Sequence, residues 1–115
     1  MLSRPNRLTA DKDFDRIFKA GRTWRGPSFD FKAVPNGLAN CRLGFVVSTK
    51  VAKSAVARNR IKRQMREIGR KLLPRLRPGF DIVILAKPSA LKLKFAQTGN
   101  ELADLFSKSG ILPTK

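Results

Sequence analysis

The sequence has no histidine and a single cysteine, Cys41. Without histidine, a Ser-His-Asp triad, a Cys-His nucleophile and a histidine metal site are all excluded. One cysteine excludes an internal disulfide and a zinc cluster within the chain, and Cys41 reads as a small buried strand residue. Acid is scarce: 8 Asp and Glu face 25 Lys and Arg, a formal charge of +17 on 115 residues. No acid stands between Asp30 and Glu67, and Glu67 is the only one before Asp81. No apolar run approaches the roughly 18 residues of a membrane span. The opening Met1-Leu2-Ser3-Arg4-Pro5 lacks the apolar stretch of a signal peptide. The expected compartment is the cytoplasm, without membrane association.

What is present suffices for one packed domain, since 42% of the chain is hydrophobic. A field of one sign on so small a chain repels itself, and phosphates would relieve it. Nucleic acid is therefore the first candidate partner.

Periodicity predicts the order α-β-β-α-β-α. Asp11 to Ala20 reads as a helix with Thr9 as N-cap, Phe14, Ile17 and Phe18 on one face, and Gly21 closing it in the left-handed conformation. Arg22 to Pro27 reads as a loop. Ser28 to Val34 and Cys41 to Ser48 alternate as half-buried strands, and the short Pro35-Asn36-Gly37 connection predicts that they pair antiparallel. Ser54 caps a helix from Ala55 to about Leu73, which Pro74 and Pro78 stop. Phe80 to Ala86 is nearly all apolar, the pattern of a central strand buried on both faces. Phe95, Gly99, Leu102 and Phe106 keep helical spacing. Three helices over a small sheet make an α+β sandwich.

The long helix is the main candidate site. On a helical wheel Ala57, Ile61, Met65, Ile68 and Leu72 gather in an arc of roughly 80°. Arg58, Lys62, Arg66, Asn59, Arg70 and Arg63 fill a separate arc of roughly 140°, with Arg60 at its flank. One side buries, and the other presents cations on a rigid rod. Arginine forks suit phosphate oxygens, and Asn59 suits a base edge or a 2′-hydroxyl. Solvated helix faces usually mix both signs, and this one has Glu67 alone.

The run from Lys50 to Glu67, centred on Arg58-Asn59-Arg60 and Ile61-Lys62-Arg63, resembles the signature of the protein subunit of bacterial ribonuclease P. Arg7-Leu8 with Phe14, Phe18 and Gly21 resembles that family's opening helix. Arg42 to Ser48 and Asp81 to Pro88 resemble two of its strands. The resemblance implies a small α/β sandwich with a left-handed β-α-β crossover, and a single RNA-binding domain over 1–115 with 1–6 and 110–115 as loose ends. It implies that the chain binds the catalytic RNA and the 5′ leader of precursor tRNA, while the RNA and its Mg2+ ions cleave the leader. No metal or cofactor is then expected on the protein alone, and no protein partner is implied. The RNA-binding residues would be Arg58, Asn59, Arg60, Lys62, Arg63, Arg66 and Arg70, with Lys50 and Lys53 in the preceding loop. A leader cleft would use Phe14, Phe18, Phe31 and Lys32.

Phe14 and Phe18 read equally well as core residues or as a stacking platform for bases. Trp24 reads as a cover for the sheet edge. Asp11 and Asp15 complement a helix N-terminus, and nothing in the spacing of Asp30 and Asp81 suggests a nuclease centre. The alternative function is a structural RNA-binding protein of ribosomal type with no part in cleavage.

Overall fold

The computed structural model describes residues 6–112. Its elements are α1 (Asp11–Ala20), β1 (Arg22–Arg25), β2 (Phe29–Pro35), β3 (Arg42–Val46), α2 (Ala55–Leu72), β4 (Phe80–Ala86) and α3 (Phe95–Ser109), with 3-10 turns at Leu73–Arg75 and Pro88–Lys92. The α+β class and the predicted element order hold, with β1 added. Arg22–Arg25, expected as a loop, is an edge strand. It pairs with β2 across a tight turn in which the Gly26 N–H donates to the Phe29 carbonyl.

The four strands lie in the order β1-β2-β4-β3. The expected direct pairing of the second and third strands does not occur, because β4 enters between them, antiparallel to β2 and parallel to β3. The reason lies in composition. β4 is apolar on both faces and needs a neighbour on each edge and helices on each side. β2 and β3, each with a less apolar face, take the flanks. α1 covers one face, where Leu8, Ile17, Val34 and Val83 form a small core. α2 and α3 cover the other, over Phe29, Phe31, Leu43, Ile82 and Ile84.

The hand of the β3-α2-β4 crossover follows from two contacts. Seen from α2 with β3 running upward, an L-residue whose side chain points at the viewer turns its carbonyl to the right. Leu43 is such a residue: its side chain meets Gly69 of α2, and its carbonyl accepts from the Leu8 N–H rather than from β4. β4 therefore lies to the left, and the crossover is left-handed, against the usual preference. The same Leu8 contact lines the outer edge of β3 with the N-terminal segment.

Two helix ends differ from expectation. The N-cap of α1 is Ala10, without a side-chain cap, so Thr9 does not serve. Gly21 is extended, at φ −71°, because the chain passes straight from α1 into β1. Glycine is needed there for closeness, since a Cβ would run into the Ile17 carbonyl oxygen. The Ser54 cap on α2 holds, its hydroxyl accepting from the Ala57 N–H at 3.3 Å. Cys41, just before β3, is buried.

The loose-end expectation fails at 110–112. Gly110 caps α3 in the left-handed region, at φ 81°, and folds the chain back so that Ile111 and Leu112 bury in the core. Asn6 is also held, donating to the Cys41 carbonyl. Residues 1–5 and 113–115, the rest of that expectation, lie outside the described residues.

A buried charge ties α1 to the sheet. Asp81 opens β4 with no solvent exposure. It accepts from Arg42 at 2.8 and 2.6 Å, from Asn36 at 2.8 Å and from Arg16 of α1. Burial works to raise this carboxyl. The Arg42 fork, the Asn36 amide and the charges of Arg42 and Arg16 outweigh it and hold the group below its ordinary value. A depressed folded value stabilises the fold above the unfolded carboxyl's pKa near ~4, and that stability fades as pH falls through the folded value. Asp81→Asn is expected to cost about 1–3 kcal/mol at pH 7, because Arg42 and Arg16 lose their charged acceptor at a site closed to solvent and keep only the longer Asp13 contacts. The gap from the parent should narrow below about pH 4. Urea denaturation of both proteins across pH checks this.

Candidate nucleic-acid interface

α2 lies close on the sheet because Gly69 has no side chain: a Cβ there would meet Leu43 Cδ1 and Phe45 Cζ, each at 3.1 Å. That contact turns Ile61, Met65, Ile68 and Leu72 inward. The opposite side carries Asn59, Lys62, Arg63 and Arg66. None of these four side chains has a hydrogen bond or ion pair among the described residues. Uncompensated cations at this spacing repel one another, and a strand of phosphates is the complementary surface.

Other members of the predicted strip are partly engaged. Arg58 sits at the edge of the buried arc, and its Nη1 donates to the carbonyls of Ala52 and Lys53, both at 2.8 Å. With Val51 buried, this fixes the turn that presents Lys50 and Lys53 to solvent. Arg60 donates to the Leu91 carbonyl at 3.3 Å. Arg70 pairs with Glu67, which lowers the Glu67 carboxyl through the Arg70 hydrogen bonds.

The cleft prediction divides. Phe18 is 41% exposed, and Lys32 Nζ lies 5.8 Å from its ring centroid, so these two do meet on the α1 face of the sheet. Phe31 does not join them. Successive residues of a strand point to opposite faces, so Lys32 on the α1 side places Phe31 on the other. There Phe31 is fully buried between Trp24 and Phe106, at 5.6 and 4.7 Å between ring centroids. Trp24 thus covers the sheet edge as expected.

Phe14 is half-buried and faces a groove that joins the two predicted surfaces. The groove, of about 320 Å3, runs past the outer edge of β3, with Phe14 and Thr9 on one wall and Lys62 and Arg66 on the other. Gly44 makes room for it, since a Cβ there would lie 2.8 Å from the Phe14 ring. Arg7, Thr9, Gly44 and Phe45 were not among the site residues expected from the sequence. A glycine within the alternating Leu43-Gly44-Phe45 is the signal that marks a close approach.

No group of three acidic or cysteine side chains converges among the described residues. Asp30 lies beside Leu85 and Asp81 beside Val34, at opposite ends of the β2–β4 ladder. Each is paired with basic side chains, Asp30 with Lys87 at 3.0 Å and Arg25 at 3.5 Å.

Comparison with known proteins decides the family. The family model described as Ribonuclease P matches residues 2–110. The chain belongs to the ribonuclease P protein family. Among its relatives, a ribonuclease P protein component from a Cyanothece species is 37% identical over 128 residues, covering 97% of this chain and 98% of the relative. One from Dehalococcoides mccartyi is 40% identical over 111 residues, covering 96% and 90%. The RNase P protein of Staphylococcus aureus superposes with a TM-score of 0.86 at 28% identity, over 94% of this chain and 98% of that one. That of Thermotoga maritima gives 0.81 at 32%, over 89% and 96%. As a family member, the chain is a subunit of a ribonucleoprotein endoribonuclease. No helix among the described residues is long and apolar enough to cross a membrane.

The division of labour among the arginines is testable. Arg58→Gln should raise amide hydrogen exchange across residues 48–54, because the Ala52 and Lys53 carbonyls lose their partner. Arg63→Gln should leave that segment unchanged. Exchange measured by mass spectrometry on the free protein checks both.

Proposed function

We propose that this chain binds the ribonuclease P RNA through the open face of α2 and guides the 5′ leader of precursor tRNA along the α1 side of the sheet. The observation that carries this reading is the uncompensated set Lys62, Arg63 and Arg66 beside Asn59, opening into the Phe14 groove. Lys50, Lys53, Arg58, Arg60 and Arg70 supply further positive potential around it. RNA phosphates would displace the Arg70 contact at little cost, since it is exposed.

Phe18 and Lys32 suit a single strand, the ring stacking on a base and the ammonium following the backbone. Phe14 suits the same strand where it enters the groove. Among the described residues most carboxylates are spent on arginine or lysine. Magnesium belongs with the RNA subunit in this reading, as does cleavage of the phosphodiester. The protein's part is to bind, to neutralise and to position, in the cytoplasm where precursor tRNA is made.

Reconstitution tests the whole reading. At low magnesium the protein should stimulate cleavage of precursor tRNA by the ribonuclease P RNA. Binding without stimulation would leave only a structural RNA-binding protein. Two variants test its parts. Lys62→Gln with Arg66→Gln should lower the slope of log affinity against log salt by about 1.5, the loss of two phosphate contacts. Phe18→Ala should weaken precursor tRNA binding by about tenfold and leave mature tRNA unchanged. Equal losses on both would reject a leader contact.

A further inference from the structure

The open face of α2 leaves a second basic surface unexplained. The sequence holds no acid between Asp81 and Glu101, while Lys87, Lys92 and Lys94 fall within that stretch. Lys92 and Lys94 are exposed, on the turn that leads into α3. Their ammonium groups have no carboxylate partner among the described residues. Phe95, the first residue of α3, keeps 40% of its surface exposed, with Lys71 Nζ 5.5 Å from its ring centroid. Leu91, four residues earlier in the chain, is exposed as well. The first turn of α3 has no acidic residue. This corner therefore combines positive charge with a partly exposed aromatic ring.

The corner is built onto α2 and held at a fixed place. Arg60, Gln64, Glu67 and Lys71 follow one another at helical spacing along one flank of α2. That flank is turned about 120° from the centre of the Asn59, Lys62, Arg63 and Arg66 face. The Arg60 hydrogen bond to the Leu91 carbonyl ties the turn to the helix. Glu67 is the only acid on the flank, and it is already shared between Arg70 and Lys71.

We propose that Lys71, Lys92, Lys94 and Phe95 form a second RNA contact, separate from the open face of α2. The lysines hold phosphates of one strand, and Phe95 stacks on an unpaired base. The charge favours RNA over a protein partner, which would leave this many ammonium groups to be matched by carboxylates. The inference rests on the RNA-binding reading above and extends it: the protein joins two stretches of the ribonuclease P RNA that lie on different sides of one helix.

The test uses the full chain with the ribonuclease P RNA, followed by salt titration and hydroxyl-radical footprinting. Lys92→Gln with Lys94→Gln should lower the salt slope by about 1.5. It should also expose nucleotides other than those exposed by Lys62→Gln with Arg66→Gln. Phe95→Ala should weaken binding by about tenfold, and Phe95→Trp should restore it. Circular dichroism confirms that α3 survives each change. Wild-type slope and footprint in the Lys92 and Lys94 variant, with losses in the Lys62 and Arg66 variant, would overturn the second contact and leave the first. Loss of the same nucleotides in both would overturn their separateness. Absence of saturable binding by the parent protein would overturn the RNA-binding reading itself.

Discussion

One carboxylate without access to water holds the working parts of this protein in place. Asp81 lies where β4 begins, and through Arg16, Arg42 and Asn36 it joins α1, β3 and the turn after β2. Asp81 itself has no water to turn to if a partner is lost, while Arg16 and Arg42 reach solvent, so the carboxylate is the member that the cluster cannot spare. It fixes the angle at which α1 leaves the sheet. α1 in turn carries Phe14, which lines one groove with Lys62 and Arg66 of α2.

With so few acids, their placement shapes the surface as much as the bases do. Asp81 and Asp30 serve the sheet. Glu101 of α3 accepts from the Ser28 and Phe29 N–H groups and secures the start of β2. Asp13 supports Arg42. These carboxylates neutralise charge inside the scaffold and little of it on α2, where Glu67 stands alone. The positive face is thus a result of where acids were withheld. A phosphate backbone meets little competition there from the protein's own side chains.

Much of this was legible in the residues. Helical and strand periods located every main element except β1, whose four residues are too short and too polar to show a pattern. The apolar run of β4 announced a central strand but not its neighbours, because alternation reports which face is buried and not which strand lies alongside. The inward and outward arcs of α2 were readable from the wheel. The inward turn of Arg58 was not, since it depends on carbonyls left open by the turn at 52–53. Phe31 shows the converse. Its place beside Lys32 in the chain already excluded a shared cleft, and the family resemblance suggested one against the two-residue period. The groove at Gly44 needed the fold, for it is made by three segments that the sequence keeps far apart.

The place of β4 bears on how the chain reaches this state. β4, one of the two inner strands of the sheet, is the last strand to leave the ribosome, after both of its neighbours. Until it arrives, the β1–β2 hairpin and the β3–α2 unit have no shared ladder, and each exposes an apolar face. Assembly must wait for an insertion across long sequence separations, the kind of step that slows folding and invites aggregation. During that wait the α2 segment already carries its full charge, with the apolar side that β4 and its neighbours will cover still open to water.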